Sequence, residues 1–285
     1  MTRPAPAATV ATAEPETTAD VTASAATPAS RPVRGVLVTG ASRGIGRAVA
    51  HAFAAAGDRV AVHYGSNAAQ AEATLLALPG DGHVLVGGDL SDPATAQRVA
   101  DTAHAELGGV DVLVNNAAVA TSEANAHPVA TVPYEDWQRI WRQMVDVNLL
   151  AAANLSHCVA RHLIARGAPG RIVNIGSRGA FRGEPDHPAY GATKAALHAL
   201  GQSLAVALAP HGISVTSVAP GFTATERVAD RLTGASGDTL RGQSPFGRVG
   251  TPEEVAAAVR YLASPEATWA SGTVLDLNGA SHLRL

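Results

Sequence analysis

Residues 33–46, with the sequence VRGVLVTGASRGIG, predict the first strand and the first helix of the fold. The apolar, β-branched run at the start is typical of a strand that is buried on both faces. Gly40, Gly44 and Gly46 follow it in the spacing Gly-x-x-x-Gly-x-Gly. Glycine permits a sharp turn and a close approach to a pyrophosphate, whose charge the N–H groups of a helix N-terminus can bind. The segment therefore indicates a dinucleotide site, although a tight strand–helix turn without a ligand gives a similar pattern.

The rest of the chain continues the alternation of apolar runs and segments of helical length. Strands are predicted at 33–39, 59–64, 84–87, 110–115, 171–176, 213–219 and 273–278. Helices are predicted at 44–56, 67–78, 93–107, 134–166, 189–209 and 252–263. Strands that alternate with helices predict an α/β fold with a parallel, doubly wound sheet and helices on both faces. Because no break in composition divides residues 33–285, we expect them to form a single domain.

The first 32 residues differ in composition from residues 33–285. They are almost entirely Ala, Thr, Pro and Ser, and they contain no apolar run long enough for a signal peptide or a membrane span. A transit peptide is rich in arginine and poor in acids, whereas Glu14, Glu16 and Asp20 outnumber Arg3 here. We expect residues 1–32 to be a disordered tail.

Composition narrows the class of ligand. The formal charge is −3 and no run of basic residues occurs, so neither nucleic acid nor a membrane is an expected partner. The single cysteine, Cys158, lies in an apolar stretch and is read as a buried thiol and not as a nucleophile. We therefore expect a cytoplasmic protein without disulfides that binds a small molecule, and we expect no metal site.

Lys194 is the only lysine, since the other 20 of the 21 Lys and Arg residues are arginine. It follows Tyr190, one of four tyrosines, by four positions. On a helix this spacing puts both side chains on one face, where an ammonium can lower the pKa of a phenol. A compact ammonium fits where a planar guanidinium does not. The pair therefore indicates a tyrosine acid/base, with a chance surface lysine as the alternative.

Several ordered motifs together resemble the short-chain dehydrogenase/reductase family. They are the glycine pattern, Asn115-Asn116-Ala117-Ala118 after the fourth strand, Asn148, Ser177 and Tyr190-x-x-x-Lys194. Ser177 precedes Tyr190 by thirteen residues, a separation similar to that in the family, and the resemblance covers residues 33–280. Two departures are Ala118, where the family usually has glycine, and the few residues beyond the usual C-terminus.

The resemblance implies a seven-stranded Rossmann sheet and an NAD(P)-dependent oxidoreductase that is commonly a homotetramer, with a homodimer as the alternative. It implies that Tyr190 donates a proton to a carbonyl oxygen, or takes it back in the oxidative direction. Lys194 would hold the nicotinamide ribose, Ser177 would bind the substrate oxygen, and Asn148 would anchor a proton-relaying water. A turn serine and a solvated helix asparagine are the ordinary alternatives for the last two residues.

The end of the second strand indicates which dinucleotide is preferred. An NAD site places Asp or Glu there, but this chain reads His63-Tyr64-Gly65-Ser66-Asn67. Arg43 can supply a countercharge for a 2′-phosphate, and Ser66 and Asn67 offer donors, so NADP(H) is predicted, with NAD(H) possible. Arg43 as a solvated loop residue is the alternative. The other cofactor contacts implied by the resemblance are Ser42, Ile45, Tyr64, Asp89, Leu90, Asn115, Asn116, Ala117, Pro220, Gly221, Thr223 and Thr225.

The substrate is expected to contact residues 178–188 and a mobile segment, 226–248. His187 lies in this region and is read as a solvated loop histidine. Residues 246–254 resemble bacterial 3-oxoacyl-(acyl-carrier-protein) reductases, yet Ala168 and His211 stand where those enzymes carry basic docking residues, and only Arg161 or Arg166 could substitute. Three functions stay open: an NADPH-dependent carbonyl reductase or alcohol dehydrogenase, a non-catalytic dinucleotide sensor, and a reductase of carrier-bound substrates.

Overall fold

The computed structural model describes residues 32–228 and 232–284, so the predicted tail lies outside it except for Pro32. The described part contains seven strands: β1 (Gly35–Val38), β2 (Arg59–Tyr64), β3 (Val84–Gly87), β4 (Val112–Asn115), β5 (Gly170–Ile175), β6 (Ile213–Pro220) and β7 (Val274–Leu277). It also contains nine α-helices: α1 (Gly44–Ala55), α2 (Ala68–Leu76), α3 (Pro93–Leu107), α4 (Tyr134–Val145), α5 (Ala151–Arg166), α6 (Gly179–Arg182), α7 (Pro188–Leu208), α8 (Gly234–Gly242) and α9 (Pro252–Leu262).

The seven strands form one parallel sheet in the order β3-β2-β1-β4-β5-β6-β7. The predicted seven-stranded Rossmann sheet is therefore confirmed. The order reverses direction at β1, which pairs with β2 on one side and with β4 on the other. Ligands of open α/β sheets bind at such a switch point, beyond the carboxyl ends of the strands.

The core has two layers because the sheet is covered on both faces. In β1, Val36 and Val38 pack with α1 and α9, whereas Leu37 packs with α3 and α5 on the other face. All three side chains are fully buried. This two-sided burial explains why the strand is a continuous apolar run and not an alternating one.

Three helices begin at residues whose side chains cap them, and one of these is α2, where the Asn67 side chain accepts from the Gln70 N–H. Asp92 accepts hydrogen bonds from the N–H groups of Ala94 and Thr95 at the start of α3. Thr251 and Glu254 form a reciprocal capping box at the start of α9. Such caps satisfy N–H groups that the helix leaves without partners, which fixes where each helix begins.

The long helix predicted at 134–166 is interrupted. It consists of α4, a π-helical segment Asp146–Leu150, and α5. Sequence reasoning also did not predict α6 and α8, which are short and lie in the region expected to contact substrate. Neither has a long apolar stripe, so the periodicity that reveals the other helices is weak there.

Within residues 32–228 and 232–284, no helix is both long enough and apolar enough to cross a membrane.

Candidate active site

The loop between β1 and α1 turns sharply at its glycines. Gly40 and Gly44 have φ angles of 61° and 55°, which side chains rarely allow. A Cβ atom at Gly46 would lie 2.3 Å from the Gly40 carbonyl oxygen, so only glycine fits there. Arg43, the residue before α1, makes no capping hydrogen bond with its side chain. The start of α1 therefore has no cap from its own N-cap residue, and its N–H groups can bind an anion from elsewhere.

Side chains from neighbouring strands fix this loop. His63 Nδ1 accepts a hydrogen bond from the Gly40 N–H at 3.1 Å, which leaves Nε2–H to donate to the Gly88 carbonyl at 3.0 Å. Burial lowers the His63 pKa to about 4, so the ring is neutral at pH 7. Asn116 Nδ2 donates to the carbonyls of Thr39 at 2.8 Å and Gly40 at 3.1 Å. The glycine loop is thus held from both sides of the switch point.

Glu226, beyond the end of β6, lies against the same helix start. The N–H of Gly44 donates to its carboxylate, and Arg47 of α1 forms an ion pair with it. Burial opposes ionisation of Glu226, but its own backbone N–H, the charge and hydrogen bond of Arg47 and the Gly44 N–H prevail and lower its pKa. An anion therefore already lies at the N-terminus of α1, which shows that this site binds negative charge.

Helix α7 carries Tyr190 and Lys194, and both line the cleft. Lys194 is 3% exposed, and its Nζ donates to the Ile175 carbonyl at 2.7 Å. The same nitrogen lies 5.9 Å from the centre of the Tyr190 ring. Burial lowers the Lys194 pKa to about 8. The lysine is therefore a buried cation beside the phenol and not a chance surface residue.

Ser177 follows the end of β5 and also lines the cleft. Its Oγ accepts a hydrogen bond from the Gly179 N–H at 3.0 Å, which fixes the direction of the hydroxyl oxygen. Gly176 before it has no room for a side chain unless the His198 ring moves, because a Cβ atom there would lie 1.8 Å from His198 Nε2. The buried His198 ring has a pKa near 4, mainly because of burial and secondarily because of the Lys194 charge. A neutral ring therefore packs behind the strand end that carries Ser177.

Asn148 lies in the π-helical segment and not in regular α-helix. Its Oδ1 accepts from the Val119 N–H at 2.7 Å, and its Nδ2 donates to the Val119 carbonyl and to Thr193 Oγ1. Asn148 itself does not line the cleft. Asn148 thus joins the loop after β4 to helix α7 through Thr193, the residue that precedes Lys194, which is a supporting position. π-Helical turns of this kind occur frequently at functional sites.

The glycine loop, Ser177, Tyr190 and Lys194 line one cleft of about 570 Å³ at the switch point. The structure brings almost every predicted cofactor and catalytic residue to its lining, namely Gly40, Ser42, Arg43, Gly44, Ile45, Gly46, Ser66, Asn67, Asp89, Leu90, Asn116, Ala117, Ser177, Tyr190, Lys194, Pro220, Gly221, Thr223 and Thr225. A volume of this size is typical of a small-molecule or cofactor site.

Two predicted cofactor contacts do not lie in this lining. Tyr64 packs against Gly87, where a Cβ atom would lie 2.7 Å from its hydroxyl oxygen. Asn115 is buried, and its amide donates to Ser156 Oγ and Asn174 Oδ1 behind the sheet. The expectation that Asn115 lines the cleft is therefore wrong. In a parallel strand successive side chains point to opposite faces, so only one of two adjacent asparagines could face the loop.

The cleft also contains residues that the sequence analysis did not single out, although three of them lie in the segments 178–188 and 226–248 that it expects to contact substrate. His63, Glu184, Glu226 and Arg178 line it. The sequence does give a reason to place His63 in the site, because a polar residue at the end of a buried strand next to the glycine loop needs a hydrogen-bond partner. For Arg178 the sequence predicts a place near the substrate but not its burial, because the burial depends on contacts with Gln243 and Ser281, which are distant in sequence. His187, by contrast, hydrogen-bonds the Ser122 carbonyl at 2.9 Å and stays outside the lining.

The fold and the cleft define a dinucleotide-dependent oxidoreductase of the Rossmann class. A family model described as enoyl-(acyl carrier protein) reductase matches residues 40–282. The chain belongs to the short-chain dehydrogenase/reductase family, and it is an NAD(P)-dependent oxidoreductase.

Curated relatives include more than one kind of oxidoreductase. The 3-oxoacyl-(acyl-carrier-protein) reductase FabG of Escherichia coli K12 is 38% identical over 252 residues, which cover 87% of this chain and 96% of that relative. The L-rhamnose 1-dehydrogenase (NAD(P)(+)) of Sphingomonas sp. strain SKA58 is 35% identical and covers 88% and 96%. A crystal structure of a candidate gluconate dehydrogenase from Agrobacterium tumefaciens has a TM-score of 0.77 at 26% identity and covers 88% and 97%. The relatives share the class of chemistry and differ in substrate.

Proposed function

We propose that this chain is an NADP(H)-dependent oxidoreductase in which Tyr190 acts as the general acid/base on a carbonyl or secondary alcohol. The observation that carries the proposal is the burial of Lys194 beside Tyr190, in the same cleft as Ser177 and the glycine loop. A buried ammonium is costly unless it has partners. Among the described residues the Lys194 ammonium donates to one carbonyl, which leaves its other N–H groups to a ligand in the cleft.

The cleft fits a dinucleotide. The glycine loop and the start of α1 would hold the pyrophosphate, in the position that the Glu226 carboxylate now approaches. Asp89 and Leu90 would face the adenine, and the segment from Pro220 to Thr225 would face the nicotinamide. Lys194 would donate to the ribose hydroxyls.

The preference for NADP(H) rests on charge. Arg43 is exposed, lines the cleft, and has no side-chain hydrogen bond or ion pair to any residue in the described ranges. Ser66 and Asn67 lie in the same lining, and no carboxylate follows β2 to repel a 2′-phosphate. A guanidinium is well suited to a phosphate group.

Steady-state kinetics test this preference. We expect kcat/KM to be higher with NADPH than with NADH, and we expect Arg43→Ala to remove most of the difference. Arg98→Ala, an arginine of α3 outside the cleft lining, serves as the matched control. A tenfold preference of the wild type for NADH would refute the assignment.

The proposed chemistry divides between cofactor and protein. When bound, the nicotinamide supplies or accepts the hydride. Tyr190 would deliver the phenolic proton to the substrate oxygen in reduction and take it back in oxidation. Lys194 favours the deprotonated phenol through its charge. Ser177 would donate a hydrogen bond to the substrate oxygen, since its own Oγ already accepts from Gly179. Asn148 would support this arrangement, with a bound water as the expected relay to Lys194.

The similarity to FabG favours a second candidate, a 3-oxoacyl-(acyl-carrier-protein) reductase. One of the two arginines that could replace the missing docking cations is already engaged, because Arg166 pairs with Asp111 at 2.9 Å. Arg161 is exposed and makes no ion pair among the described residues. Docking of an acidic carrier would therefore depend largely on Arg161.

A substrate panel distinguishes these candidates. We expect NADPH-dependent reduction of small ketones or aldehydes as free compounds. A much higher kcat/KM for a 3-oxoacyl group on its carrier protein than for the same group on a small thiol, abolished by Arg161→Glu, would instead establish the second candidate. NADPH binding without reduction of any compound would favour the sensor.

The proposal extends to the oligomeric state of the protein and to its location in the cell. We propose a homotetramer, with a homodimer as the alternative, in the cytoplasm. Family members are commonly oligomeric, and large apolar side chains remain exposed on this chain, among them Trp269 at 100% and Val206 at 79%. Exposed apolar surface of this kind frequently marks an interface.

A further inference from the structure

A buried arginine that the proposed chemistry does not use follows Ser177 directly. Arg178 is 4% exposed, although it carries a full charge. Its guanidinium donates to Gln243 Oε1 and to Ser281 Oγ, and it lies 5.1 Å from the centre of the Phe222 ring. These partners are neutral, so within the described residues no carboxylate forms an ion pair with this cation.

The charges around Arg178 do not balance. Burial lowers its pKa first of all, repulsion from Arg182 comes next, and attraction to Glu184 is the weakest of the three. Arg182 donates to the same Gln243 oxygen at 3.3 Å. Two guanidinium groups therefore converge on one uncharged amide oxygen. A buried charge is ordinarily paired, and an unbalanced one at a binding cleft indicates that the counterion is a ligand.

Spare donors are also available. A guanidinium has five N–H groups, and two of those on Arg178 have acceptors among the described residues. Arginine binds a carboxylate with two parallel hydrogen bonds, which requires two neighbouring N–H groups. The geometry of the group thus matches a planar carboxylate better than a neutral acceptor.

Arg178 lies where two cavities meet. With Phe222 and Thr223 it lines both the cleft of Tyr190 and a second cavity of about 490 Å³. The second cavity lies between α8, α9 and the end of β7, and its walls include Leu240, Phe246, Val255 and Leu277. An apolar space therefore adjoins the unbalanced cation and can take a carbon chain.

We propose that the substrate is an aliphatic oxo acid or hydroxy acid whose carboxylate binds Arg178 and whose carbon chain enters the second cavity. This inference rests on the proposed function for the reaction itself, but the carboxylate site is defined without it. Because Arg178 and Ser177 line the same cleft, one small substrate can present its carboxylate to Arg178 and its reacting oxygen to Ser177. Arg182 would contribute from the rim, where solvent screens its charge.

Calorimetry of simple ligands tests the site without turnover. Octanoate and octanamide have the same length and differ in charge. We expect the wild-type enzyme with bound NADPH to bind octanoate at least tenfold more tightly than octanamide, and Arg178→Met to reduce this ratio to about one. Arg178→Lys keeps the charge but loses the two neighbouring N–H groups, so it should retain part of the preference for octanoate.

A second variant separates ligand binding from a structural role. Gln243→Met removes the contact between Arg178 and the end of α8 but keeps the guanidinium, so the preference for octanoate should persist. Equal binding of the two ligands by the wild type would overturn the proposal. It would also be overturned if Gln243→Met abolished the preference as fully as Arg178→Met does.

Kinetics with paired substrates distinguishes this inference from the proposed function. We expect oxo acids to be reduced with a kcat/KM at least tenfold above that of their methyl esters, and we expect Arg178→Met to remove the difference. If esters and acids are reduced equally well, only the carboxylate site is wrong. If octanoate is preferred but no carbonyl compound is reduced, the proposed function fails and the carboxylate site stands.

Discussion

At the scale of single residues, the burial of Lys194 has two consequences. It should favour the proposed chemistry, and it should lower the stability of the folded chain. Its ammonium fits between α7 and the end of β5, where Nζ contacts the Ile175 carbonyl at 2.7 Å. A guanidinium is larger and planar and cannot enter the same space with the same donors. The ammonium that helps the proposed chemistry is also a charge removed from water, and this desolvation lowers the stability of the folded state.

Lys194→Arg tests the first consequence. The charge is preserved while its shape changes, so we expect kcat to fall by at least about a hundredfold, since general acid–base catalysis contributes roughly 10²–10⁴-fold. Turnover of the best substrate from the panel measures this, with Lys194→Met as the control that removes the charge altogether. Near-normal turnover of Lys194→Arg would show that the lone lysine is a coincidence.

Lys194→Met tests the second consequence, the cost of burial. Burial lowers the pKa from 10.5 to about 8 in the folded protein. Between these values the unfolded chain binds more protons than the folded one, so stability should rise as pH increases from about 8 to 10.5. Below pH 8 the buried charge costs on the order of 3 kcal/mol, at 1.36 kcal/mol per pKa unit.

The variant removes that cost together with one hydrogen bond. We therefore expect Lys194→Met to increase the free energy of unfolding at pH 7 by about 1–3 kcal/mol and to flatten the pH dependence above pH 8. Urea denaturation of the cofactor-free protein at pH 7 and pH 9.5 measures both effects. A variant that is less stable than the wild type at pH 7 would contradict this account.

At the scale of elements, the start of α1 binds an anion from the protein itself. The Glu226 carboxylate accepts from the Gly44 N–H and pairs with Arg47. A pyrophosphate would have to displace this carboxylate or bind next to its negative charge, and either costs binding energy.

Glu226→Gln should therefore strengthen NADPH binding. We expect the Kd to fall by about two- to fivefold, in line with the roughly 0.3–1 kcal/mol of a charge at an exposed helix end. Quenching of protein fluorescence by NADPH measures it. Glu253→Gln, an equal change of charge in the first turn of α9 outside the cleft, is the control. Weaker binding by Glu226→Gln would indicate that the carboxylate assists the cofactor.

The elements themselves were largely predictable, because parallel strands buried on both faces produce long apolar runs. The segments at 84–87 and 93–107 have the bounds that the pattern predicts. The π-helical turn at Asn148 was not predictable, since one added residue per turn leaves no compositional mark. The glycine loop and the other ordered motifs along the chain likewise predict most of the cleft lining. Arg178 depends on contacts with Gln243 and Ser281, which lie 65 and 103 residues away in sequence.

At the scale of the whole molecule, exposed apolar side chains predict self-association. Light scattering at micromolar concentration should give a mass of two or four times the 28.8 kDa of one chain. Trp269 is wholly exposed in the single chain, so burial in an interface should also shift its fluorescence to shorter wavelength on assembly. A mass of one chain at the same concentration would contradict the expected assembly.

The central claim is that Tyr190 moves the proton while the rest of the cleft binds NADP(H), and Tyr190→Phe separates these two roles. The variant loses the phenolic proton and keeps the ring beside Lys194, so kcat should fall by at least about a thousandfold. NADPH affinity, measured by fluorescence on the same preparation, should stay within about threefold of the wild type. Substantial turnover by Tyr190→Phe with intact NADPH binding would contradict the account.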